Sequence, residues 1–359
     1  MWGNKFKISI FGESHGEGVG VIVDGLPAGL KLSEENILRD MRRRAPGSIA
    51  GSTKRSESDV PHILSGYYDG FTTGSPLAAY IKNADQHSND YADLEGRPRP
   101  SHADYTAWVK YGGFADMRGG GHFSGRLTAP LVFAGSVARA YLEENGIYVG
   151  SHILRVGEVE DKGFDTLNLN EEVLKSLYRK DFPTIDEDAA KKMKEQIDNA
   201  RNSKNSVGGI VEIGCVNLPA GIGEPIFDGL EPKIASILFA VPAVKGIEFG
   251  LGFKLSSMHG SDANDQMCIS GEEVSFKSNN NGGILGGISS GAPLIVRAAF
   301  KPTPSISAPQ STVDLVDMKD IKIEIKGRHD SCIAVRGAAA AEAAVLIAIA
   351  DAVMESEIF

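Results

Sequence analysis

Gly12-Glu13-Ser14-His15-Gly16 fits G-x-S-x-G, the turn that presents a nucleophilic serine in many hydrolases. Lys5 to Phe11 ahead of it alternates like a strand, as such a turn requires. The residues after the motif argue the other way. Gly16 to Gly20 lead into a second β-like run, Val19 to Val23, and no helix starts there. Residue 14 also lies too near the N-terminus for an earlier strand and loop to supply an oxyanion donor. The expectation is that Ser14 is not a hydrolytic nucleophile, while His15, beside a Gly-rich turn, stays a candidate for proton transfer.

The arginines are bunched. Arg39, Arg42, Arg43 and Arg44 end a helix that should start near Ser33. Compensation of the helix dipole accounts for one or two of them, but four exceed what a helix end needs. Lys54 and Arg55 follow a Gly/Ser/Thr loop, and Arg97, Arg99, Arg118 and Arg126 lie in another loop-rich stretch. Guanidinium forks suit carboxylates and phosphates, so a small polyanion is the expected ligand. Met117 to Arg126 sets three glycines between arginines, with His122 and Ser124 following, and such a loop can aim backbone N–H groups at an anion. His15, His102 and His122 all sit in Gly- or Pro-containing loops near arginines, where an imidazole can protonate a leaving group near neutral pH. Arg328-His329-Asp330 adds a carboxylate. Asp330 reads either as a base held near the ligand or as an ion pair or N-cap of the next helix.

These loops need a scaffold. The chain has 359 residues, 42% hydrophobic and 23% charged, with a formal net charge of −10, so a general nucleic-acid binder is not expected. Cys215, Cys268 and Cys332 lack metal-ligand spacing and read as free thiols in a reducing cytosol. No signal peptide opens the sequence, and a cytoplasmic location with no membrane partner is expected. Ala338 to Met354 is apolar but interrupted by Glu342 and Asp351, and reads as a buried core helix.

Four short blocks recur in the same order. Leu26–Gly29 and Leu218–Gly221 are both LPAG; Gly70–Leu77 matches Gly287–Leu294; Arg97–Ser101 matches Lys301–Ser305; and Gly125-Arg126 matches Gly327-Arg328, each ahead of a small-residue helix. They imply two related halves, about 1–150 and 205–359, within a single domain. A helical connector of about 151–205 joins them, carrying Thr184 and Glu187 as a capping box and Met193, Ile197 and Ala200 on one face. Strands alternate with helices, and the strand runs suit antiparallel ribbons as well as βαβ units, but no Walker A loop or strand–GxGxxG–helix unit is present. The expected class is α+β, a pseudo-symmetric β-α sandwich.

With these residues in view, the chain resembles chorismate synthases over nearly its whole length. Gly12–Gly16 running to Asp24–Pro27, Arg118–Arg126 and Gly327–Cys332 look like that family's three signatures, and HADYT, AVKGIEFG and NGGILGGISSG are similar too. The resemblance implies a homotetrameric lyase that converts 5-enolpyruvylshikimate 3-phosphate to chorismate and phosphate by 1,4-elimination. Reduced FMN would be needed without net redox change, with the flavin reduced by an external or NADPH-dependent reductase. By position it implies His15 protonating the departing phosphate and His102 near the flavin. Asp330, with Ser14 and Ser124, would assist proton removal, and Arg43, Arg44, Arg118 and Arg126 would hold the substrate. Flavin contacts would come from His122, Phe123, Ser124, Pro242, Ala243, Gly286, Lys301, Pro302, Thr303, Pro304, Ser305 and Arg328. Two departures stand out: Ala50 replaces an arginine common in the family, with Lys54 or Arg55 as compensation, and His122-Phe123 replaces Arg-Ser. A flavin- or phosphosugar-binding module without catalysis would keep the glycines and arginines but would not need His15, His102 and Asp330 together.

Overall fold

The computed structural model describes residues 1–45, 59–84, 96–325 and 329–356. The first ribbon forms where the alternation predicts it: β1 (Lys7–Gly12) pairs antiparallel with β2 (Gly18–Asp24). β3 (His62–Ser65) and β4 (Leu77–Lys82) complete a sheet of order β1-β2-β4-β3. A second sheet holds β5 (Tyr148–Val156), β6 (Val159–Glu160), β7 (Gly209–Val216), β8 (Val244–Phe249) and β9 (Leu294–Phe300), in the order β8-β9-β7-β5-β6. Among the described residues every ladder is antiparallel, so the fold is α+β and not a doubly wound parallel sheet.

Leaving out the edge strand β6, both sheets run first, second, fourth, third in sequence order. One LPAG block follows β2 and the other follows β7, while Gly70–Leu77 leads into β4 and Gly287–Leu294 into β9. Strand β5 begins at Tyr148, so the second sheet takes in residues that the repeat pattern assigns to the first half and the connector.

Helices lie between the sheets. α3 (Thr128–Glu144) packs on β2 and β4, α7 (Ala334–Ser356) packs on β5, β7 and β9, and the two helices pack on each other. Their small residues explain the closeness: a β-carbon at Gly135 would lie 2.4 Å from that of Ala343. α1 (Glu34–Arg44) packs against both, and α6 (Leu230–Leu238) against α7. Ser33 caps α1 by accepting from the Asn36 N–H, and α2 (Asp104–Tyr111) begins two residues after His102.

α7 passes the length and hydropathy test for a membrane span, yet 94% of its most apolar window is buried inside the protein. The two acids inside its apolar run, Glu342 and Asp351, are both used. Glu342 accepts from Arg43 at 2.5 and 2.9 Å and from Arg139 at 2.5 Å. Burial works against that carboxylate, yet Arg43 and Arg139 outweigh it and hold Glu342 down at about 2. Asp351 accepts the N–H groups of Asn4, Lys5 and Phe6 at 2.7–2.9 Å and pairs with Lys233 at 2.7 Å, tying the first strand to the last helix.

In the connector, α4 (Glu171–Tyr178) and α5 (Glu187–Asn202) form. The Thr184–Glu187 capping box does not. Asp186 caps α5 by accepting from the Asp188 N–H, the Thr184 hydroxyl is buried without a partner, and Glu187 pairs with Lys180. Met193 and Ile197 are buried as the periodicity predicts, and Ala200 is half-buried.

Candidate active site

The GESHG turn leaves β1 and is clamped from behind. Asn83, just past β4, points its amide nitrogen at the carbonyls of Glu13, Ser14 and Gly16 at 2.9–3.1 Å. Its carbonyl oxygen accepts from Arg126 Nε at 2.8 Å. The Ser14 N–H donates to the Gly121 carbonyl at 3.1 Å, joining this turn to the three-glycine loop. Gly119, Gly120 and Gly121 all take positive φ, at 61°, 92° and 53°. A β-carbon at Gly119 would fall 2.4 Å from the His15 ring and 2.8 Å from Ser14 Oγ. The glycines are therefore the condition for bringing His15 and Ser14, both buried, up against this loop.

The loop lines an open cavity of about 790 Å³. Among the described residues, five cationic side chains (Arg44, Arg99, Arg126, Lys301 and Arg336) face it against one carboxylate, Asp330. His102, His122, Phe123 and Ser124 also line it, as do Pro242, Ala243, Thr303, Pro304 and Ser305. The sequence thus names residues as far apart as Arg44 and Asp330 that line one cavity.

Arg44 and Arg126 share one buried carboxylate. Arg44 Nη1 lies 2.6 Å from Asp59 Oδ2, and Arg126 Nη1 binds Asp59 Oδ1. Arg44 also donates to Thr128 Oγ1 at 3.0 Å and to the Gly125 carbonyl at 2.9 Å. Burial opposes the Asp59 carboxylate, but the two guanidiniums hold it below its usual range. Burial pulls Arg44 down to about 10, helped by Arg336 and Arg126 and opposed by Asp59. Two guanidiniums on one shared carboxylate, with three more cations around the cavity, give the wall the positive balance that a polyanion site requires. Asp330 is held by Arg336 at 2.7 Å, and Arg336 Nε donates to the Arg44 carbonyl at 2.9 Å.

Histidines are placed individually. His15 is buried against Gly119, and neither it nor Ser14 is among the residues lining the cavity. His102 lies 2.6 Å from Asp104 through Nδ1. His122 donates from Nδ1 to the Gly12 carbonyl at 2.9 Å, and Phe123 meets Tyr111 with ring centroids 6.4 Å apart. Ser124 Oγ accepts from the Arg126 N–H at 3.2 Å.

Some expected residues stand apart from the cavity. Arg43 belongs to the buried network with Glu342, Asp40 and Arg139, its guanidinium 4.5 Å from the Tyr178 ring centroid. It turns away because α1 presents successive residues about 100° apart, so Arg43 and Arg44 cannot face one wall. Arg118 is half-exposed and pairs with Asp116 at 2.7 Å, outside the cavity lining. Gly286 sits in the turn between Ile284–Leu285 and Ile288–Ser289, and Pro302 does not line the cavity either. Ala50, Lys54, Arg55 and Arg328 lie outside the described residues. Sequence reasoning missed Asp59, Asn83, Asp104 and Arg336. Asp104 lies in the HADYT block, two residues from His102, and Arg336 is the only cation among the small residues of α7; Asp59 and Asn83 carry no local signal.

Known proteins similar to this chain point one way. The model of the chorismate synthase family matches residues 6–354. A chorismate synthase of Pyrococcus abyssi is 48% identical over 352 residues, 98% of this chain and 96% of that protein. Chorismate synthases of Thermococcus kodakarensis (47%, covering 98% and 96%) and Methanosarcina mazei (44%, covering 99% and 96%) are similar over the same extent. A crystal structure of a chorismate synthase superposes with a TM-score of 0.76 at 29% identity, covering 98% of this chain and 93% of that one.

Proposed function

The chain belongs to the chorismate synthase family, and we propose that it carries out that family's lyase reaction on 5-enolpyruvylshikimate 3-phosphate. In this elimination a ring C–H bond and the C–O bond to phosphate break. The C–H electron pair becomes a new double bond, the existing ring double bond shifts, and the C–O pair leaves with phosphate. The observation that carries the reading is the single cavity on which Arg44, Arg126, Arg336, His102 and Asp330 converge.

In this reading Arg44 and Arg126 bind the phosphate and carboxylates of the substrate, and Asp59 holds their forks in place. His15, against Gly119, donates a proton to the departing phosphate. Asp330, fixed by Arg336, is the carboxylate on the proton-accepting side, with Ser14 and Ser124 as hydrogen-bonding supports. Arg43 acts here through the scaffold, by holding Glu342 and so the packing of α1 on α7. Arg118 would reach an anion only by leaving Asp116.

The residues present suit a flavin. The Thr303 hydroxyl is buried without a partner on the cavity wall, next to Pro304 and Ser305. Pro242 and Ala243 form an apolar turn, the latter at φ 73°, whose carbonyl accepts from the Lys301 N–H at 2.9 Å. Lys301 Nζ is anchored on the Ser101 carbonyl at 2.5 Å. Pro242, Ala243, Lys301 and Thr303–Ser305 would hold FMN with His122 and Phe123. When bound in reduced form FMN supplies electron density to a reaction without net redox change, where side-chain acid–base catalysis alone gives only about 10²–10⁴-fold. The same reading has the enzyme act as a cytoplasmic homotetramer fed with reduced flavin by a separate reductase.

An anaerobic assay with the substrate and photoreduced FMN, followed by chorismate absorbance, tests this. Chorismate should appear with one phosphate released and no flavin consumed. Binding of flavin and substrate without any chorismate would favour the non-catalytic module instead.

A further inference from the structure

His102 has two ring nitrogens, and only one can exchange a proton with something in the cavity. Nδ1 lies 2.6 Å from Asp104 Oδ1. That carboxylate is locked from the other side: Arg99 meets it through Nε at 2.7 Å and Nη2 at 2.8 Å, and through its backbone N–H at 2.9 Å. Three donors besides the imidazole keep Asp104 ionised, although its burial works against this. Two lone pairs would repel at 2.6 Å, so a proton lies between Nδ1 and Oδ1. Arg99 Nη2, 3.1 Å from Nδ1, cannot donate to a nitrogen already protonated. The opposite ring edge faces the glycine loop: a β-carbon at Gly120 would sit 3.1 Å from Cε1 and 3.2 Å from Nε2.

We propose that Asp104 is a positioning residue that, braced by Arg99, keeps the proton on His102 Nδ1 and makes Nε2 the atom at which His102 gives or takes a proton. The chemistry is that of any carboxylate–imidazole pair, in which the carboxylate orients the ring and stabilises its charged form without itself becoming protonated. The inference rests on the proposed reaction for its catalytic consequence, but the tautomer stands on geometry alone.

Nitrogen NMR of the full-length protein labelled in histidine, without flavin or substrate, reads the tautomer directly. The His102 signal is the one lost in His102→Gln. In the wild type, neutral His102 should carry its proton on Nδ1. In Asp104→Asn and Asp104→Ala it should revert to the Nε2-protonated form common in solution. In the anaerobic assay Asp104→Asn should lose about 10- to 10³-fold in kcat, within the range of one proton-transfer group, with substrate KM changed by no more than about threefold. A wild-type spectrum with the neutral proton on Nε2, or a tautomer unmoved by either substitution, overturns the proposal. The wild-type spectrum decides even where both variants fail to fold. Absence of chorismate from the wild-type protein would sink the proposed reaction while the spectrum still judged the tautomer.

Discussion

His15 and His102 both sit against one glycine loop, so the loss of either should be felt in the chemical step. His102 lies against Asp104, and His15 is buried against Gly119 with Ser14 Oγ beside the same glycine. His15→Ala and His102→Ala should each lower kcat by about 10- to 10⁴-fold and leave flavin and substrate affinity nearly intact, because the arginines supply the anion affinity. Parallel anaerobic kinetics and flavin titrations check this, and a near-normal kcat in either variant would return that histidine to a structural role. Arg44→Ala and Arg126→Ala should do the reverse and raise substrate KM by about 10-fold or more. Since both arginines hold Asp59, the double variant should lose less than the product of the single losses, a coupling measurable in a double-mutant cycle.

At the scale of elements, the loop after Asp116 and the packing of α3, α1 and α7 set the site. A β-carbon at Gly121 would lie 1.8 Å from the Asp116 carbonyl oxygen, on backbone at φ 53°. Gly121→Ala therefore has no easy relaxation and should lower both Tm and kcat. Gly119→Ala meets the His15 side chain 2.4 Å away and not backbone, so it should lower kcat more than Tm. Thermal unfolding beside steady-state kinetics separates the two, and equal effects would mean that the loop does not hold His15. Arg43 belongs to this scale as well. Glu342→Ala leaves Arg43 and Arg139 buried without their shared acceptor, a loss of about 3–5 kcal/mol by denaturant unfolding. The matching strand orders and the parallel positions of the LPAG blocks support a proposal that the two halves share an ancestor. Superposing β1, β2, β4 and β3 on β5, β7, β9 and β8 tests it.

The molecule as a whole carries a buried charge cluster outside the cavity lining. His152 is fully buried between Glu212, 2.9 Å from Nε2, and Asp161, 3.4 Å from Nδ1, and Arg297 binds Glu212 at 2.9 Å. Burial lowers the His152 pKa, but the two carboxylates outweigh it and raise it above the ordinary value. A raised folded pKa means that the charged imidazole stabilises the fold fully below its unfolded pKa of about 6.5, and that this stability is lost as pH rises through the folded value. Glu212 and Asp161, whose carboxyls are held below their usual range, contribute above their unfolded pKa values and lose that contribution in acid. Unfolding free energy should therefore fall on the alkaline side of about pH 6.5 in the wild type. His152→Gln should be less stable and lose that alkaline decline. A slope unchanged by the substitution would mean that His152 does not carry it. Sedimentation velocity checks the proposed homotetramer, for which exposed Ile226, Phe227 and Phe253 are candidate contacts.

By itself the sequence determined the parts of the protein written in short-range pattern. Alternation in Lys5–Phe11 and the β-like run Val19–Val23 marked two strands, Ser33 marked the start of α1, and two acids in an apolar run marked a core helix. Its motifs marked His15, His102, Arg126 and Asp330, because reactive side chains in Gly and Pro loops stand out locally, and the run of arginines closing a helix marked Arg44. Only the tertiary structure decided which of two adjacent arginines faces the cavity, since α1 turns Arg44 toward Asp59 and Arg43 toward Glu342. Thr184 followed by Glu187 three residues later fitted a cap, yet the chain enters α5 through Asp186. Asp59 and Asn83 had no local signature, because what they do is hold partners between about 15 and 70 residues away, and such pairings exist only once the sheets and helices have packed.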